Sequence, residues 1–304
     1  MHPHHSHDDH GHGHAPKEFG TAFAIAAALN VGLVVLQVAF GLLGHSVALL
    51  ADAGHNAGDA FCLLLAWGAH VLSGRQPTHR YTYGFRSASI LASFLNAVIL
   101  FIVTGAIVME AIRRFFEPSP VEGLTVMVVA AIAIALNAVA ARVLMAGKSD
   151  LNIRGAFLHL VADAAVSFGV VVAGAVILLT GWNWIDPAVS ILISAVIVWG
   201  TWGLLRDSVN LSLDAVPSGI SPSEVRSHLE SLPGVARIHD LHIWAMSTTE
   251  TALTCHLVMP AGYPGDSFIV ETCHQLHHRF GIDHPTLQVE LGEHVCALEP
   301  EHVV

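Results

Sequence analysis

His55 and Asp59 stand four residues apart, and the same pair recurs as His159 and Asp163. In a helix, residues at i and i+4 share a face, so each pair turns one imidazole and one carboxylate the same way. Two such helices packed together would offer two nitrogens and two oxygens to one point. That is a tetrahedral set, which a Zn2+ ion accepts at bond lengths of about 2.0–2.2 Å. The spacing alone decides little, since this composition yields roughly half such a match by chance. Context raises it: both pairs sit in long apolar stretches, where an Asp costs about 2.5–3.5 kcal/mol on insertion scales and lines a path or site rather than facing lipid. The alternative, hydrogen-bonded helix pairs with no metal, is made less attractive by the duplication.

Bringing such residues together calls for helices that cross an apolar medium. The 304-residue chain is 53% hydrophobic and only 12% charged, too little polar surface to cover a soluble globule, so the bilayer is the expected solvent. Charge-poor stretches run over 19–43, 47–72, 87–112, 124–145, 156–180 and 184–205. Each is long enough to span about 30 Å of hydrocarbon as a helix, which predicts six spans. Arg75, Arg80 and Arg86 follow the second span, and Arg142, Lys148 and Arg154 surround the fourth link. The positive-inside rule then puts both termini in the cytoplasm, and Arg113 and Arg114 in the third link dilute this signal without reversing it. The net charge of −11 argues against nucleic acid as a partner and suits cation handling. Cys62, Cys255, Cys273 and Cys296 form no CxxC pair, so no zinc ribbon or redox dithiol is written here.

After Asp214 the pattern turns to short alternating segments. A helix capped by Ser221 and Glu224 precedes strands over 238–246 and 252–259, a helix over 267–280 and a strand over 286–291. This α-β-β-α-β order predicts a small α+β, ferredoxin-like domain. The chain thus divides into a His-rich tail (1–18), a six-helix all-α transmembrane domain (19–213) and a cytosolic domain (214–304) small enough to favour pairing with a partner.

Four stretches carry a family likeness: Ser46-Val-Ala-Leu-Leu-Ala-Asp-Ala-Gly-His-Asn-Ala-Gly-Asp59, Tyr81-Thr-Tyr-Gly-Phe-Arg86, Leu151-Asn-Ile-Arg-Gly-Ala-Phe-Leu-His159 and Asp240-Leu-His-Ile-Trp244. Their order and spacing resemble the cation diffusion facilitator family over about residues 20 to 291. The resemblance implies six helices, a cytosolic ferredoxin-like domain and a homodimer that exchanges metal for protons. It also implies that His55, Asp59, His159 and Asp163 form the transport site, and the His-Asp, His-Asp version resembles the zinc-transporting branch, with Co2+ and Cd2+ as further substrates. Imidazole chemistry fits this exchange, because neutral His binds metal and imidazolium does not.

A hairpin turning near Thr248-Thr249 would pair position 241 with 256 and set His239 and His256 on one sheet face as diagonal neighbours, with Glu290 within reach. The resemblance places ligands at these positions and Asp266 near a further one, implying a regulatory zinc site of His239, His256, Asp266 and Glu290. A solvated His pair is the other reading.

The expected function is therefore zinc efflux by Zn2+/H+ antiport across the cell (inner) membrane, with no organic cofactor and no enzymatic activity. A membrane-anchored metal sensor or buffer and a passive cation channel are the alternatives. His274, His277 and His278 match one box of the membrane di-iron desaturases, but one box is not three, and a solvated helix face accounts for them. The tail holds seven histidines in its first 14 residues, too polar to pack, and reads as a metal-capturing arm. Asp52, one turn before His55, either orients its imidazole or lines the path. Asn30, Asn96 and Asn137 read as interhelical hydrogen-bonders. His79 alone could ligate in the link after the second span, so no second site is expected there. Gln37 and Ser87-Ala88-Ser89 stand where relatives more often carry charge, which weakens any carried-over salt bridge.

Overall fold

The computed structural model describes residues 21–73, 75–145, 151–292, 294 and 296–299, so the His-rich tail lies outside the described residues. Six long helices come first: α1 (Thr21–Leu43), α2 (Val47–Ser73), α3 (Ala88–Phe116), α4 (Gly123–Met145), α5 (Leu151–Thr180) and α6 (Ile185–Ser212). They follow the apolar stretches of the sequence, because in lipid the backbone must satisfy its own hydrogen bonds and a helix does so within one segment. Among the described residues α3, the Val161–Thr180 part of α5, and α6 are long and apolar enough to cross a membrane, and Ala28–Leu43 and Gly123–Val139 are shorter apolar helices. Leu91, Ile102, Met109, Leu192 and Trp199 are exposed on these helices.

Helix α2 packs against α1, α3, α5 and α6, while α4 lies along α5. Leu49, Val126, Val129, Val170, Ile193 and Ile197, with small alanines between them, form the buried core of this domain. Glycines let α4 and α5 meet backbone to backbone: a Cβ on Gly123 would stand 2.7 Å from Gly174 O, and one on Gly174 would stand 2.9 Å from Gly123 O. The first turn of α2 is tied to α6. Asp186 is fully buried there, accepting hydrogen bonds from Ser46 Oγ and, at 2.6 Å, from the Val47 backbone N–H. A carboxylate in this place satisfies amides that have no partner inside the helix and meets the positive end of its dipole.

The C-terminal domain follows as α7 (Pro222–Glu230), β1 (Arg237–Ala245), β2 (Thr251–Val258), α8 (Asp266–Phe280) and β3 (His284–Glu290), the predicted order. Ser221 caps α7, its Oγ accepting the Glu224 backbone N–H at 3.4 Å. Strand β2 is central, antiparallel to β1 and parallel to β3, and the parallel pair is joined by the crossover helix α8. Val225, Leu229, Leu253, Leu257, Leu276 and Ile282 fill the core under this small mixed sheet. The register departs from expectation: His256 pairs directly with His239, not with position 241, and the ladder is irregular between His239 and His242. Asp240 holds a φ of 51° in this bulge, which re-aims its side chain.

The tip of the β1–β2 hairpin meets the segment between α2 and α3. Arg86 Nη1 lies 2.8 Å from Glu250 Oε1, Ser87 Oγ donates to Met246 O at 3.2 Å, and the Thr248 N–H donates to Ser89 Oγ at 3.0 Å. Tyr83 meets His284 edge-on, with ring centroids 5.6 Å apart. Ser87 and Ser89 thus join the two domains by neutral hydrogen bonds.

Candidate metal centres

Helices α2 and α5 bring His55, Asp59 and Asp163 together. His55 Nε2 lies 3.0 Å from Asp163 Oδ1 across the helix pair and 3.8 Å from Asp59 Oδ2 one turn along its own helix. One ligand atom from each residue falls within 4.8 Å of the others. Asp163 is buried, while the side chains of His55 and Asp59 are 21% and 25% exposed, so the cluster is open on the α2 side. His159 lies one turn before Asp163 on α5; its side chain is outside the described residues. A single imidazole nitrogen between two carboxylates holds either a proton or a cation, not both, because imidazolium has no free lone pair.

A second polar layer adjoins the first. Asp52 is fully buried; its Oδ2 accepts from Gln37 Nε2 at 2.6 Å and from Ser167 Oγ at 2.9 Å, and Gln37 Oε1 accepts from Asn56 Nδ2 at 2.9 Å. This chain joins α1, α2 and α5. Gln37, whose neutral amide looked like a loss, bridges Asp52 and Asn56 as acceptor and donor at once. Ser167 escaped the sequence reading, although its place one turn after Asp163 was a usable signal.

The second cluster lies on the sheet of the C-terminal domain. His239 Nε2 faces Glu290 Oε2 at 3.0 Å, His256 Nδ1 faces Glu290 Oε1 at 3.0 Å, and the two imidazoles meet at 80°. Cys296 joins them, its Sγ 3.8 Å from His256 Nδ1. One atom from each of these four residues lies within 4.8 Å of the rest. Burial acts to raise the Glu290 carboxyl, but hydrogen bonds from His239 and Gln288 and the two imidazole charges outweigh it and hold Glu290 below the usual carboxylate range. Asp266 is not in this set. It opens α8, exposed, and accepts the Tyr263 hydroxyl at 2.5 Å, while the fourth group gathered with the other three is Cys296. Asp240 was also missed as a partner: its Oδ2 lies 3.4 Å from His256 Nε2, the ring nitrogen turned away from Glu290.

The remaining histidines of the sequence reading do other things. His274, His277 and His278 line the exposed face of α8, with His277 Nδ1 3.3 Å from Asp283 Oδ1. Asn137 is buried, but its Nδ2 has no hydrogen-bond partner among the described residues.

His and carboxylate groups facing one another between helices of an apolar domain, with a second such cluster on an appended sheet, are arrangements that could hold divalent cations. Residues 23–211 match the cation efflux transmembrane domain, and residues 217–291 match the cytoplasmic domain of cation efflux proteins. The chain is 35% identical to the zinc transporter ZitB of Escherichia coli K12, over 94% of this chain and 92% of that one. It is 32% identical to the cadmium, cobalt and zinc/H(+)-K(+) antiporter of Bacillus velezensis, over 94% and 93% of the two chains. It is 34% identical to the metal cation efflux system protein CzcD of Cupriavidus metallidurans, over 93% and 90%. The chain belongs to the cation efflux family and is a divalent metal cation efflux transporter, in a family of transporters rather than enzymes.

Proposed function

We propose that the chain exports Zn2+ in exchange for protons, with His55, Asp59, His159 and Asp163 as the transport site. The observation that carries this reading is His55 Nε2 between the Asp59 and Asp163 carboxylates, one on each of two packed helices. Two imidazoles and two carboxylates suit Zn2+, and Co2+ and Cd2+ follow as further cargo because the same ligand types accept them. Metal entering from the cytoplasm displaces the imidazole protons, and protons taken up on the far side displace the metal. The relatives named for zinc, and the one named for H+ and K+ exchange, support the same direction.

In this reading all six helices cross the inner membrane, and 1–18, 19–213 and 214–304 act as metal-capturing tail, transport domain and cytosolic domain. Both termini face the cytoplasm, and the ferredoxin-like cytosolic domains pair two chains into a homodimer. His239, His256, Glu290 and Cys296 then form a regulatory metal site on that domain. His239 and His256 supply imidazoles, Glu290 lies between them, and Asp240 holds the outer nitrogen of His256 as carboxylates commonly do behind a ligating imidazole.

The test is zinc flux into proteoliposomes. Flux should accelerate when the lumen is acid relative to the outside and collapse in Asp59→Ala and Asp163→Ala. Flux indifferent to the gradient would end the antiport reading, and full flux in both variants would end the site assignment.

A further inference from the structure

Two contacts join α2 to α5 as neighbouring rungs of one ladder. His55 Nε2 meets Asp163 Oδ1 at 3.0 Å, and one turn along the helices Asp52 Oδ2 accepts from Ser167 Oγ at 2.9 Å. Asp52 precedes His55 by three residues while Ser167 follows Asp163 by four, as an antiparallel pair requires, so a change at the second rung is carried to the first. Gln37 of α1 braces this second rung. Its amide donates to Asp52 Oδ2 at 2.6 Å and accepts from Asn56 Nδ2 at 2.9 Å, and so holds the two α2 positions on either side of His55. Asp52, Ser167 and Gln37 are fully buried, while the His55 side chain is 21% exposed. Asp52 Oδ1 has no hydrogen-bond partner among the described residues, and a carboxylate so placed between apolar helices is costly enough to mark a function. Both hydrogen bonds of its other oxygen run to α1 and α5, so Asp52 bears on the site through the spacing of helices.

We propose that Asp52 is a positioning residue for transport: through Ser167 and Gln37 it fixes the approach of α5 to α2, and with it the span between His55 and Asp163 that the cation fills. This rests on the reading of His55 and Asp163 as transport ligands. A Zn2+ ion bound to both at about 2.0–2.2 Å in tetrahedral geometry sets the two ligand atoms about 3.3 Å apart. The observed 3.0 Å lies close to that span, so metal entry needs little movement of the helices. Ligands held near their bound geometry lose less freedom on binding, which strengthens affinity without altering the ligand set. With the second rung broken, each binding event must also draw α5 back to α2.

The test is zinc flux in proteoliposomes, with KM and maximal rate read separately. Ser167→Ala deletes the rung while leaving every proposed ligand and the Asp52 carboxylate in place. It should raise KM for Zn2+ roughly tenfold, the worth of one hydrogen bond to a charged group, with the maximal rate retained. Asp52→Leu removes both bonds and should raise KM at least as far. The double exchange of Gln37→Glu with Asp52→Asn swaps acid and amide while allowing the same three hydrogen bonds, so it should bring KM back toward the parent value. A lowered maximal rate with unchanged KM in Ser167→Ala and Asp52→Leu would reduce the rung to packing and overturn the proposal. So would a double exchange whose KM stays as high as that of Ser167→Ala, a comparison that holds even where Asp52→Leu does not fold. Parent-like flux in Asp163→Ala would instead overturn the reading of the site on which the proposal rests.

Discussion

In the proposed transport site the imidazole of His55 sets the ligand chemistry, because its Nε2 is shared by two carboxylates, at 3.0 and 3.8 Å. Replacing it by a third carboxylate hardens the ligand set without emptying it. His55→Asp should therefore transport Zn2+ more slowly and Mn2+ faster relative to zinc, read as the flux ratio in mixed-metal vesicles; an unchanged ratio would remove His55 from the selectivity account. A different histidine should weaken the C-terminal domain in acid. Burial first, and then the Arg279 charge, hold His228 below its ordinary value of 6.5. A base that protonates less readily when folded leaves stability intact above 6.5 and lets it erode as pH falls below that value. His228→Asn should flatten that acid-side loss in thermal melts, and identical pH profiles for variant and parent would count against it. The shared face of His55 and Asp59 was readable because i and i+4 fix it once the segment is a helix. Asp240 and Cys296 were not. One depends on a left-handed residue in a bulge and the other on a chain reversal after the last strand, and neither leaves a period in the sequence.

At the level of elements, the helices were legible from apolar length alone, but their mutual approach was not. Gly123 and Gly174 read as ordinary glycines in apolar runs, yet each stands under 3.0 Å from the other's carbonyl once a Cβ is added. Gly169 on the same helix meets nothing within 4 Å, which makes a matched control. Gly174→Ala should cost about 1–3 kcal/mol by forcing α4 and α5 apart, and it should slow zinc flux because α5 carries Asp163. Gly169→Ala should do neither, since an alanine there only favours the helix. Equal melting temperatures and fluxes for the two variants would show that the close approach is not limiting. The tie between Asp186 and the start of α2 was invisible for a related reason: its partners lie 139 and 140 residues away in the chain. The hairpin register failed for the opposite reason, since strict alternation was assumed where one bulge shifted the pairing onto His239 and His256.

Across the whole molecule, the domains meet at the hairpin tip, and the strands leading from that tip carry His239 and His256. Arg86 and Glu250 are 37% and 33% exposed, so their ion pair contributes at most about 1 kcal/mol, and breaking it should leave the melting temperature nearly unchanged. Its effect should appear in local opening instead. Arg86→Glu sets two carboxylates face to face, and the repulsion acts on a contact otherwise held by two hydrogen bonds and one ring contact. Limited proteolysis between residues 75 and 87 should therefore speed up in Arg86→Glu and in Glu250→Arg. The double exchange, Arg86→Glu with Glu250→Arg, should restore protection because it rebuilds the pair with its charges reversed. Added salt should shrink these differences, since pairs this exposed are screened over about 8 Å at physiological ionic strength. If the single reversals cleave no faster than the parent, the hydrogen bonds of Ser87 and Ser89 hold the hairpin alone, and the ion pair is incidental to how the domains meet.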